Sequence, residues 1–194
     1  MRSELHLLRV VAGADAAVLS GDERERAARF RFEPDRDAFV LARATLRVLL
    51  GERLRCDPRA LVFASGEHGK PFLAGNPLHF NVSHTRGAIA IAIGGAPLGV
   101  DIERVDPARV SLDTVRHYFP ADEARRVEAA AGDERVALFF ELWTAHEARL
   151  KASGLGLSLP LPPDGGEWRL HRGAFEGHVW ALASLDAETP EVLS

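Results

Sequence analysis

His79-Phe-Asn-Val-Ser-His-Thr85, Ala88-Ile-Ala-Ile-Ala-Ile93 and Leu98-Gly-Val-Asp-Ile-Glu-Arg-Val105 follow one another with only Arg86-Gly87 and Gly94-Gly-Ala-Pro97 between them. The second segment alternates strictly, with Ile89, Ile91 and Ile93 on one face, which is the period of a strand. Arg86-Gly87 is short enough to be a hairpin turn. In the third segment Val100 and Ile102 oppose Asp101 and Glu103, so a strand there sets two carboxylates on one face. Three strands in succession place a sheet at the middle of the chain.

Working outward, Leu5–Val11 reads as another strand, and Ser20 followed by Glu23 reads as a capping box opening a short helix. From Asp35 to about Leu50, Phe39, Leu46, Leu49 and Leu50 form an apolar stripe. Arg36, Arg43 and Arg47 recur on another face of the same helix, and Gly51 reads as its stop. Leu61–Ala64 predicts a short strand. On the other side, 137–154 predicts a long amphipathic helix ending at Gly154, with Trp143, Glu147 and Lys151 at successive i, i+4 positions on one face. Helices and strands mixed in this way are compatible with an α+β fold.

The chain has 194 residues, 46% of them hydrophobic and 27% charged, with 24 Lys plus Arg against 28 Asp plus Glu, a formal charge of −4. That composition excludes disordered and collagen-like classes, and no apolar run approaches the roughly 20 residues of a membrane helix. Neither a nucleic-acid partner nor a membrane is expected, since no strongly basic stripe is present. Met1-Arg-Ser-Glu-Leu-His6 lacks the apolar stretch of a secretion signal, and Cys56 is the single cysteine, so the expected location is cytoplasmic.

Residues 1–98 hold 14 basic and 11 acidic side chains and residues 99–194 hold 10 and 17, giving +3 and −7. The split suits a ligand with phosphates on one side and a metal on the other; an unevenly charged surface gives the same count. Of the 24 basic residues 22 are Arg, and only Lys70 and Lys151 are Lys. A compact ammonium is needed where a phosphate oxygen is met as a point charge, which singles out these two positions.

Asp101 and Glu103 repel each other unless a cation lies between them, and Mg²⁺ is commonly held by one or two carboxylates with substrate phosphates. A solvated acidic strand face is the other reading. Several templates fail. Ser65–Pro71 lacks P-loop spacing, His146-Glu147 lacks the second histidine of a zinc protease, and Ser83-His84 lacks a nucleophile elbow.

Taken together, Gly69-Lys-Pro71, Phe80-Asn-Val-Ser-His84, Gly99-Val-Asp-Ile-Glu103 and Trp143-Thr-Ala-His-Glu-Ala-Arg-Leu-Lys151-Ala-Ser-Gly-Leu-Gly156-Leu resemble, in that order and spacing, the Sfp-type 4′-phosphopantetheinyl transferases. The resemblance implies two similar α+β halves related by a pseudo-twofold axis, 1–97 and 98–194, with the active site between them, although no internal sequence repeat is visible. It implies transfer of the phosphopantetheine arm of coenzyme A, the co-substrate, to a serine of an apo acyl or peptidyl carrier protein. Adenosine 3′,5′-bisphosphate is released, and the reaction is Mg²⁺-dependent, with Mn²⁺ also suited to oxygen ligands.

Carried over by position, Asp101, Glu103 and Glu147 would hold the metal, Glu147 would also take the serine proton, and Lys151 would neutralise phosphate charge. Arg29, Arg47, Lys70, Pro71, Ser83, His84 and Lys151 would bind coenzyme A, with Arg31 or Arg43 as alternatives to Arg29. Glu123 would organise the cleft. His146 departs from the lysine usual before the catalytic Glu; it either titrates near the pyrophosphate or packs away from it. Val115 to Phe119 is a candidate carrier-docking patch. A monomer is expected. Two other readings stay open: a magnesium hydrolase of phosphoanhydrides, and a non-catalytic module that binds coenzyme A or a carrier.

Overall fold

The computed structural model describes residues 2–66, 68–73, 75, 78–154 and 167–194. Two sheets lie face to face, each covered on its outer face by one long helix. The first has the order β4-β5-β1-β9, from β1 (Glu4–Arg9), β4 (His79–Thr85), β5 (Ala88–Gly94) and β9 (Glu191–Leu193). The second has the order β6-β8-β7, from β6 (Leu98–Arg104), β7 (Arg169–Phe175) and β8 (His178–Ser184). β2 (Phe63–Ser65) and β3 (Pro71–Leu73) form a small antiparallel ribbon beside the first sheet. The helices are α1 (Gly21–Ala28), α2 (Glu33–Leu54), α3 (Leu112–Tyr118), α4 (Ala121–Ala129) and α5 (Gly132–Ser153).

The Ile/Ala alternation of β5 builds this layering. Ile89, Ile91 and Ile93 pack with Leu46 and Leu50 of α2, whereas Ala88, Ala90 and Ala92 pack with Val100, Ile102, Trp180 and Leu182 of the second sheet. Large side chains fill the helix layer, and small ones let the two sheets approach. On the far side Ala145, Ala148 and Ala152 of α5 rest on Ala181 and Ala183 of β8. Small residues on both surfaces bring α5 close to the sheet.

The connectivity repeats. β1, the 22-residue α2 and the β4-β5 hairpin are followed by β6, the 22-residue α5 and the β7-β8 hairpin. In each case the first strand pairs antiparallel with the second strand of the hairpin. Each first strand is also followed by the same bond to the hairpin turn: Val10 N–H donates to Gly87 O and Val105 N–H to Gly177 O. β9 breaks the pattern, since this C-terminal strand crosses back to pair parallel with β1.

β4 matches its expected segment, β5 runs one residue further to Gly94, β6 ends one residue earlier at Arg104, and the Ser20–Glu23 capping box opens α1. β1 ends at Arg9 rather than Val11, and the Leu61–Ala64 segment is β2, shifted to Phe63–Ser65. α2 runs past Gly51 to Leu54 and ends at Arg55, whose φ of 52° is left-handed. Gly51 is therefore not a stop. The chain after the helix folds back onto it, and a Cβ there would lie 2.9 Å from Pro58 Cγ and 3.0 Å from Cys56 O. α5 does end at Gly154, with φ 72°.

Candidate active site

β4 and β6 are neighbouring edges of the two sheets, joined by side chains in place of a backbone ladder. Asn81, Ser83 and Thr85 alternate along β4, so all three face β6. Asn81 Oδ1 accepts from Val100 N–H at 2.8 Å, and Ser83 Oγ accepts from Ile102 N–H at 3.3 Å. Thr85 Oγ1 donates to Glu103 Oε2 at 3.2 Å. Polar side chains at three successive inward positions thus satisfy an edge that would otherwise bury unpaired amides.

Asp101 and Glu103 do share one face of β6, and α5 lies across it. Lys151 Nζ donates to Asp101 Oδ1 at 2.5 Å and to Ser83 Oγ at 3.1 Å, while Ser83 Oγ donates to the same Asp101 oxygen at 2.8 Å. Asp101 is 3% exposed, and its second oxygen, Oδ2, is buried without a partner. Glu103 pairs with Arg109, at 2.6 Å from Nη1. The repulsion between the two acids is therefore met within the chain by Lys151 and Arg109. Among the described residues no group of three or more His, Cys, Asp and Glu is arranged to hold a metal ion.

Glu147, one helical turn before Lys151, is buried. Loss of hydration pushes its carboxyl up to about 7, with Asp101 and Glu103 adding to the shift and Lys151 opposing it. Burial likewise raises Asp101, against the pull of Lys151. Three carboxylates and one ammonium thus form a single electrostatic unit.

The remaining candidates divide. Lys70 lies in the same cleft as Lys151, a cavity of about 210 Å³ lined also by Gly69, Asn81, Leu150 and Gly154. Burial pulls its ammonium down to about 8. Pro71 opens β3 at the next cavity along, which it lines with Lys70 and Gly154. His84, on the β4 face opposite Ser83, is held below the ordinary histidine value by burial and by the charge of Lys151, with Asp35 opposing and Arg26 adding.

Arg47 does not stand free toward the cleft. It is 2% exposed, its Nε donates to Glu23 Oε2 at 2.6 Å, and its Nη1 donates to the carbonyls of Pro58 and Leu61. Arg47, for which the family resemblance implies a phosphate contact, is a buried strut between α1, α2 and the following loop. Arg43 leans on the same acid, 3.8 Å from Glu23, and over Phe39 and Phe63. Arg29 caps α1 and pairs at the surface with Glu25, and Arg31 lies over Phe32.

His146 packs away from the carboxylates. It is 3% exposed among the rings of Tyr118, Phe119 and Trp143, and burial lowers its pKa, with Arg149 adding to the effect. Val115 and Phe119, expected as docking residues, belong to a buried cluster with Val127, Phe139, Phe140 and Leu142. Glu123 lies on α4, raised by burial and opposed by Arg149. Gly156 lies outside the described residues.

Sequence reasoning missed Asn81, Thr85, Arg109 and Arg26. The first two carry a signal, a period-two polar run facing a period-two acidic pair. Arg109 and Arg26 carry none, because only the tertiary fold brings them to Glu103 and toward His84.

Residues 97–182 match the model of the 4′-phosphopantetheinyl transferase superfamily, and residues 12–94 match that of the 4′-phosphopantetheinyl transferase N-terminal domain. The 4′-phosphopantetheinyl transferase Sfp of Bacillus subtilis is 32% identical over 173 residues, covering 89% of this chain and 74% of Sfp. A Synechocystis protein is 37% identical over 147 residues, covering 73% of this chain and 59% of its own length. The 4′-phosphopantetheinyl transferase HetI of Nostoc is 33% identical over 148 residues, 74% and 62% respectively. The chain belongs to the 4′-phosphopantetheinyl transferase superfamily. Its match spans about three fifths of the Synechocystis and Nostoc relatives.

Proposed function

We propose that this chain transfers the phosphopantetheine arm of coenzyme A to a serine of an apo acyl or peptidyl carrier protein, releasing adenosine 3′,5′-bisphosphate. The observation that carries the reading is the assembly of buried Asp101, Ser83 and Glu147 with half-buried Lys151, on segments that match the family. In the reaction the carrier serine oxygen bonds to the β-phosphorus of coenzyme A. The bond from that phosphorus to the bridging oxygen breaks, and the bisphosphate leaves with the electron pair.

Glu147, at about 7, is poised near neutrality to accept the serine proton. Lys151, half-buried and one turn away, offsets charge on the phosphate oxygens. Ser83 holds both Asp101 and Lys151 through one hydroxyl, which orients the cluster before substrate arrives. The unpartnered carboxylate oxygen Asp101 Oδ2, with Glu103 or Glu147 as a second oxygen donor, fits Mg²⁺, which keeps waters and needs only one or two protein carboxylates beside substrate phosphates. When bound, the ion would withdraw charge from the phosphates.

The repeated connectivity supports two halves, 1–97 and 98–194, about a pseudo-twofold axis, with the β4–β6 seam between them. Together they can build the whole cleft in a monomer. No described helix is long and apolar enough to cross a membrane, and the one cysteine, Cys56, is free; a cytoplasmic setting accords with both. The test is the intact mass of an apo carrier protein after incubation with the chain, coenzyme A and Mg²⁺. A gain of one phosphopantetheine, lost with EDTA and with Glu147→Gln, is expected. Coenzyme A binding without any gain would instead identify a binding module.

A further inference from the structure

Each acid of β6 meets a cation from its own chain, but on different terms. Lys151 reaches Asp101 from α5, and that pair is largely buried, at 23% and 5% side-chain exposure. Arg109 reaches Glu103 from the single helical turn Pro107–Arg109 that follows β6, and its side chain is 50% exposed. The guanidinium fork covers the carboxylate, with Nη1 donating to Oε2 at 2.6 Å and Nη2 to Oε1 at 3.3 Å. Thr85 Oγ1 also donates to Oε2 from β4. Both oxygens of Glu103 therefore accept bonds, whereas Asp101 keeps Oδ2 without a partner.

Local sequence aims the arginine. Val105 N–H is held by Gly177 O, Asp106 accepts Ala108 N–H at 3.0 Å, and Pro107 fixes φ at the first position of the turn, so the chain doubles back on its own strand. Hydrogen bonding to Glu103 raises the guanidinium pKa, burial opposes the rise, and the charges of Glu103, Asp106 and Asp101 add to it. Arg109 thus lies in the field of the same acids that a divalent cation would meet. A half-exposed ion pair contributes little to stability and opens readily. While closed, its fork leaves the carboxylate little charge or room for a second cation.

We propose that Arg109 is a displaceable counter-ion that competes with the divalent cation for Glu103 and so sets how tightly the ion is held. The inference rests on the reading of Asp101, Glu103 and Glu147 as an oxygen site for Mg²⁺ and deepens it, by giving that site a competitor from its own chain. Thr85 stays on Glu103 when the fork lets go and keeps the carboxylate oriented. The phosphates of coenzyme A offer the released guanidinium another partner, so the ion and the donor favour each other's binding.

Mn²⁺, which suits the same oxygen donors, is titrated into the full chain without coenzyme A at low ionic strength, where screening is weakest, and the free ion is measured by electron paramagnetic resonance. Arg109→Gln should bind Mn²⁺ about tenfold more tightly than wild type, because a partly screened repulsion between two neighbouring cations is removed. Arg109→Lys, which keeps the charge and loses the fork, should fall between the two and serves if the Gln variant does not fold. With Glu103→Gln in both backgrounds the gain should vanish, because the contested carboxylate is gone. Equal Mn²⁺ affinity in wild type and Arg109→Gln overturns the inference, and so does a gain that survives Glu103→Gln. Absence of Mn²⁺ binding in every form overturns it together with the metal site. If Arg109→Gln binds Mn²⁺ more tightly while the wild type modifies no carrier protein, the competition holds and the transferase reading falls.

Discussion

Gly99→Ala is the sharpest probe of how the site is built. The new methyl would lie 2.7 Å from Lys151 C, where ordinary contact begins at 3.4 Å, and nearer still to Ala152 N and Ala148 O. All three are backbone atoms, so no rotamer change relieves the overlap, and the helix must retreat by about 0.7 Å or more. The retreat opens the contacts of Ala145, Ala148 and Ala152 with Ala181 and Ala183. Overpacking of this kind costs about 3 kcal/mol. At roughly 2–4 °C per kcal/mol for a chain of this size, melting should fall by about 6–12 °C.

The same movement carries Lys151 away from Asp101, to which it now donates at 2.5 Å. Carrier modification, followed by mass well below the variant's melting temperature, should slow by up to about 100-fold. A variant that melts within about 2 °C of wild type and keeps at least half its rate would refute the close approach of α5 and β6 as the basis of the site.

Three further outcomes follow from the geometry. Glu147→Gln should abolish carrier modification yet stabilise the metal-free chain above neutral pH. Because the folded carboxyl binds its proton up to about 7 while the unfolded one releases it near the ordinary glutamate value of 4.5, wild-type stability falls as pH rises through that window. Urea titrations of both forms at either end of the window should show the pH-dependent gap, and parallel curves would contradict it. Arg47→Met leaves Glu23 and two carbonyls without their buried cation, so the urea midpoint should drop by the equivalent of about 3–5 kcal/mol. The KM for coenzyme A should stay unchanged, and a selective rise in KM would restore Arg47 as a ligand. His146→Phe keeps a flat ring among Tyr118, Phe119 and Trp143, so the pH profile of turnover should not move; a shifted profile would place the imidazole at the phosphates.

Much of this protein is legible along the chain because it depends on short periodicities. The Ile/Ala alternation of β5 already separates a helix-facing from a sheet-facing surface, and the capping box at Ser20 and the glycine stop at Gly154 are local backbone events. Asp101 with Glu103, and Glu147 with Lys151, fall on common faces by strand and helix period alone. What period cannot supply is the partner across space. Arg43 and Arg47 look like equivalent surface arginines until α1 brings Glu23 over them and buries the second. Gly51 looks like a stop until the following loop folds back against it. His146 and Arg109 owe their roles to rings and a carboxylate contributed by elements distant in sequence or turned by the fold. Burial then decides whether a charged side chain meets a ligand or holds the backbone together.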